Sequence, residues 1–187
     1  LGYDWKTTEL EAGVGYYGKH RFLEKDFKRG YNAVDADLHV GSRSAGSQDG
    51  LVFDLDASYR YAADAAGSVS DNGQLLNESN VEVDLKLGTP KKAGNRFVLG
   101  LSLDSDSYSG NVSGAASVAS VTPSYVYDKG RLHADLGLKI SKVITDTATS
   151  PFVFNAKEQI LYPDVSVRFS LIREALLFYA KVGGGNR

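Results

Sequence analysis

Apolar and polar side chains alternate residue by residue along nearly the whole chain, the period of an extended strand with two unlike faces. Leu10, Ala12, Val14 and Tyr16 alternate with Glu9, Glu11, Gly13 and Gly15; Val34, Ala36, Leu38 and Val40 alternate with Asp35, Asp37 and His39. Phe53, Leu55, Ala57, Tyr59 and Tyr61 oppose Asp54, Asp56, Ser58 and Arg60, and Val81, Val83, Leu85 and Leu87 oppose Glu82, Asp84 and Lys86. The pattern continues through Phe97–Leu103, Ala119–Tyr127, Leu132–Ile140, Val165–Phe169 and Phe178–Val182. Within these nine segments no charged residue falls on the apolar face, while the other face carries charge in nearly every one. Helical spacing is almost absent. The spacing predicts one continuous antiparallel sheet with two chemically different sides.

The links between segments sharpen this expectation. Short ones (6–8, 42–50, 88–95, 128–130 and 171–175) alternate with long polar ones (20–30, 63–79, 105–117 and 141–161). Asp128-Lys129-Gly130 and the Gly88–Asn95 stretch carry the residue types of tight turns. Leu132–Ile140 also exceeds the roughly five or six residues usual for a soluble strand and approaches the roughly 9–11 needed to cross a bilayer obliquely. Aromatic residues gather at segment ends, with Phe53, Phe97, Tyr125, Tyr127 and Phe169 beside short links and Tyr16, Tyr59 and Tyr61 towards long ones. That is the layout of two interfacial girdles.

A soluble β-sandwich or lipid-binding barrel would show the same alternation, with the leucines as its core. Link asymmetry, strand length and girdles favour lipid instead. The fold class expected is all-β, an antiparallel up-and-down transmembrane β-barrel. Residues 1–187 are read as a single barrel region of about eight full strands plus two partial terminal ones, a segment of a larger barrel. The lumen-facing polar candidates are Asp35, Asp37, Asp54, Asp56, Arg60, Glu82, Asp84, Lys86, Asp135, Lys139, Arg168 and Lys181. The lipid-facing girdle is Tyr16, Tyr59, Tyr61, Phe53, Phe97, Tyr125, Tyr127 and Phe169.

Composition removes other classes. The 21 basic and 23 acidic residues leave a net charge of -2, with no polybasic field for nucleic acid. The absence of cysteine excludes disulfides, thiol nucleophiles and thiolate metal sites. No apolar run approaches the roughly 18 residues of a membrane-spanning helix. Mean hydropathy is mildly polar, as it also is in membrane barrels, whose two faces average out.

The strands Lys28–Ser42 and Phe178–Arg187, taken with the segmentation of the whole chain, resemble those of Gram-negative outer-membrane proteins, in particular TonB-dependent-receptor-like barrels. The resemblance implies an integral outer-membrane barrel acting as pore, receptor or transport/assembly component. Its partners would be outer-membrane lipid and other envelope proteins, without nucleic acid. No cofactor, metal or enzymatic activity is expected.

Among chemistry-bearing residues, His20, His39 and His133 form no His-Glu-x-x-His motif, and His39 and His133 fall on the polar face, where structural hydrogen bonding is the expectation. Asp104-Ser105-Asp106-Ser107 has the opening of a calcium loop, but Tyr108 follows where a ligand is required. Asp35, Asp37, Asp54 and Asp56 should meet across one hairpin, either binding a divalent cation or standing as solvated charges beside Lys and Arg.

Overall fold

A computed structural model describes residues 2–4, 8–24, 27–42, 51–67, 76–110, 113–145, 159–172 and 176–183. They form ten strands: β1 (Gly2–Asp4), β2 (Thr8–Glu24), β3 (Phe27–Ser42), β4 (Val52–Gly67), β5 (Leu76–Gly88), β6 (Asn95–Gly110), β7 (Gly114–Lys129), β8 (Leu132–Thr145), β9 (Gln159–Ile172) and β10 (Leu176–Gly183). Every strand pairs antiparallel with its sequence neighbours, giving one up-and-down sheet in the order β1 to β10. Among the described residues the sheet is open, with β1 and β10 as its two edges.

The period-2 assignment of faces holds throughout the sheet. Leu10 stands in register with Val40, Leu55, Leu85, Leu101, Val121 and Ile140, so one row of hydrogen-bonded neighbours crosses seven strands without a polar side chain. No second layer of described residues covers this face. Val14 is 83% exposed, Phe97 65% and Leu136 48%. Most of the buried residues, Ala33, Ala62, Ser120, Val126 and Ser141, lie on the charged side, and Ala134 is buried on the apolar one. Single clefts on that side are lined from β2 to β5 and from β5 to β9, so the sheet curls with its charged face concave.

Two turns follow their residue chemistry. Lys92 and Asn95 exchange both backbone hydrogen bonds around Ala93 and Gly94, whose φ values of 50° and 89° match a two-residue I′ hairpin. A Cβ on Gly94 would stand 2.2 Å from the Asp128 carbonyl oxygen, so glycine is required there by space as well as by φ. Gly130 (φ 64°) supplies the other bend, between Lys129 and Leu132.

The expected alternation of short and long connections is corrected. Only residues 25–26 separate β2 from β3, and three separate β6 from β7, fewer than the nine at 43–51 on the opposite rim. The strands instead run on past the apolar stretch. On the rim joining β2 to β3, strands β2 to β8 extend five residues (β5, β7, β8) to eight (β2) beyond the alternating segments named above, but at most two on the other rim. Beyond Leu103 both faces of β6 are polar, so the two-faced signal disappears while backbone pairing continues. The longer β8 also places Lys142 on the apolar side, next to Ala119, just past Ile140.

Candidate functional site

The concave face is built from rows of side chains projecting from consecutive strands. One row reads Glu11, His39, Asp56, Asp84, Ser102, Ser120 and Ser141 from β2 to β8. The row beside it reads Glu9, Gly41, Asp54, Lys86, Gly100 and Thr122. Both carry their carboxylates on β2–β5, together with His39 and Lys86, and only hydroxyls and glycine from β6 onwards. The face is therefore acidic on one side and neutral or mixed on the other.

Register decides which of these charges meet. Asp35 lies opposite Arg60, whose Nε stands 3.4 Å from its carboxylate. Asp37 projects over Gly13, where a side chain would collide with its carboxylate. Asp56 is hydrogen-bonded to His39 Nδ1 at 2.7 Å, and His39 Nε2 approaches Glu9 at 3.6 Å. The four aspartates of the β3–β4 hairpin thus divide, two towards Arg60 and Gly13 and two towards His39. His39 makes the structural hydrogen bond expected of it, whereas His133 Nδ1 is buried with no hydrogen-bond partner among the described residues.

Asp84, Lys86, Asp135 and Lys139 line one cleft with Asp164, over a floor of Gly100, Thr122 and Ser124. Glu82 and Asp84 lie between this cleft and the one lined by Glu11, Asp37, His39 and Asp56. Asp135 keeps one carboxylate oxygen buried with no hydrogen-bond partner among the described residues. Arg168 and Lys181 stand apart on β9 and β10, with Arg168 opposite His133 and Tyr179 and Lys181 opposite Ser166. The structure thus brings most of the polar candidates onto one surface and leaves Arg168 and Lys181 at its edge. His20's side chain and residues 184–187 fall outside the described set.

Two groups were not legible in the chain. Ser141, 0% exposed, shares hydrogen bonds with Ser120 (2.8 Å) and Tyr162 (3.1 Å), tying β7, β8 and β9 together. Asn80 donates from its amide to both Asp104 (2.9 Å) and Asp106 (2.8 Å). Asp104 and Asp106, whose surroundings have the opening of a calcium loop, are i, i+2 neighbours within strand β6. A serine or asparagine on a polar strand face carries no mark of its partner.

The aromatic residues sit on the exposed side. Phe97 and Tyr125 pack at 5.2 Å between ring centroids, and Tyr127, Phe53 and Phe169 share their rim. Tyr16, Tyr59 and Tyr61 occupy the opposite rim, where the Tyr16 hydroxyl donates to Asn32 at 3.0 Å. No family model matches the chain, and no characterised protein or solved structure is similar to it.

Proposed function

We propose that this chain is part of the wall of a Gram-negative outer-membrane β-barrel, its exposed apolar face against acyl chains and its charged concave face lining an aqueous lumen. The observation that carries this reading is the slope of the apolar belt across the sheet. On β2 the belt Leu10–Tyr16 centres on Gly13, whose register row runs through Asp37, Ser58, Glu82, Asp104 and Val118 to Val143 on β8. The β8 belt Leu132–Ile140 centres on Leu136, seven residues from Val143. Seven residues at ~3.3 Å over six strand spacings of ~4.8 Å is a slope of about 39°.

The turn-side aromatic rim gives the same figure independently. With the β7–β8 register on either side of Pro123 continued through it to Leu138, the Phe53 row meets β9 at Pro163, and Phe169 lies six residues nearer the turn. That descent over five strand spacings corresponds to about 40°. The belt is level only if the strands lean by that amount, the roughly 35–45° tilt of transmembrane barrels. Nine belt residues then span about 21 Å along the normal, near the roughly 25 Å apolar band of such proteins. The five- to eight-residue strand extensions lie on one side only, as external hairpins do relative to periplasmic turns.

Within this reading the protein acts as pore, receptor or transport/assembly component rather than as an enzyme, in the style of TonB-dependent-receptor-like barrels. The chain lacks cysteine, so single labels can be introduced cleanly. Fluorophores on cysteines at Leu101 and Leu136 should be quenched by brominated acyl chains and shielded from aqueous iodide. A label on Ser102 should show the reverse. Equal iodide quenching at Leu101, Leu136 and Ser102 in lipid vesicles would refute the assignment.

A further inference from the structure

We propose that His39, Asp54 and Asp56 form a divalent transition-metal site on the charged face, with Glu9 as its outer partner. Three adjacent strands build it, so it depends on their register and not on the medium touching the opposite face. Asp54 and Asp56 project to the same side of β4 two residues apart, and His39 is the register partner of Asp56 on β3. One donor atom from each lies within 4.8 Å of the others. Donors at about 2.1 Å from a common ion can be no more than about 4.2 Å apart, so small side-chain rotations close the set.

Gly41 makes the space. It is the register neighbour of both Glu9 and Asp54, and the His39 ring leans over it. A Cβ at Gly41 would stand 3.0 Å from His39 Nε2 and 3.4 Å from Glu9 Oε1. The imidazole can therefore turn Nδ1 towards both aspartates while Nε2–H points to Glu9. A carboxylate on the far nitrogen is the usual means of orienting a ligating histidine.

A divalent cation seated among these donors would neutralise the two facing carboxylates of Asp54 and Asp56. One imidazole with two carboxylates suits zinc and its first-row neighbours, whereas calcium and magnesium prefer an all-oxygen shell. The set leaves coordination positions open towards the cleft lined by Glu11, Glu82 and Asp84.

The test is calorimetric titration of the tag-free full chain, folded in detergent micelles, with Zn²⁺ and separately with Ca²⁺. One saturable zinc equivalent per chain is expected, with zinc preferred over calcium. His39→Ala and Asp54→Asn should each weaken zinc binding by at least about tenfold. Gly41→Ala keeps every ligand but obstructs the ring, and should weaken binding comparably. Glu82→Gln and Asp84→Asn, on the same wall, should change it less than about threefold. Far-UV circular dichroism checks that each variant keeps its sheet. Absence of saturable zinc binding, or wild-type binding by folded His39→Ala, would overturn the proposal, since the carboxylates would then be holding cations only as a diffuse atmosphere.

Discussion

The sharpest consequence of the sloping belt concerns three residues in one hydrogen-bonded row. Leu10, Leu101 and Ile140 are linked by successive register partners, yet on the proposed membrane reading the slope puts them at different depths. Leu101 lies one residue from the centre of its belt, about 3 Å from the midplane at a 39° tilt. Leu10 lies three residues from centre on the turn side, about 8 Å below it, and Ile140 lies four residues away on the other side, about 10 Å above. An arginine facing acyl chains costs about 2–4 kcal/mol at the midplane and about 0–1 kcal/mol near the interfaces. Leu101→Arg should therefore lose about 2–4 kcal/mol of unfolding free energy, Ile140→Arg no more than about 1 kcal/mol, and Leu10→Arg an intermediate amount.

The assay is reversible guanidinium unfolding in phosphatidylcholine vesicles, followed by the fluorescence of Trp5, the chain's single tryptophan. A face in water would give three small values within about 0.5 kcal/mol, because exposed substitutions rarely do more. A face packed against protein would give three large ones, each burying an unpaired charge. Only a sloping belt in a bilayer puts the peak in the middle of a row, and a flat profile of either kind refutes it.

Ser141→Ala should cost about 1–2 kcal/mol by leaving Ser120 and Tyr162 without their shared partner, as read from the same unfolding curves. Gly94→Ala should destabilise more than Gly130→Ala, because both glycines have positive φ but only Gly94 faces a carbonyl oxygen at 2.2 Å from the added carbon. Asp128, at the turn beyond Tyr127, is held below the usual carboxylate range by a hydrogen bond from Lys91, opposed in part by burial. A lowered native pKa adds stability that is fully present above the unfolded value and is lost as pH falls through the native one. The difference in melting temperature between wild type and Asp128→Asn should therefore be present at neutral pH and vanish in acid, and a difference that persisted in acid would refute that pairing.

What the chain determined by itself is the identity of its strands and of their two faces. A period of two survives any register, so Leu99, Leu101 and Leu103 share a face whatever lies beside them. Turn chemistry was equally local, since Gly94 and Gly130 mark their bends by their positive φ, although the crowding of Gly94 by the Asp128 carbonyl shows only in the fold. The ends of the strands were not legible, because past Tyr16, Tyr61 and Leu103 the strict alternation of large apolar with polar residues stops while backbone pairing continues. Ser105–Ser109 therefore read as a loop and proved to be strand. Which charges meet was decided by register, a long-range property: a shift of two residues would keep every face assignment, yet it would part His39 from Asp56 and Asp35 from Arg60. The tilt of the belt belongs to the same class. It exists only in the comparison of neighbouring strands, and no single strand contains it.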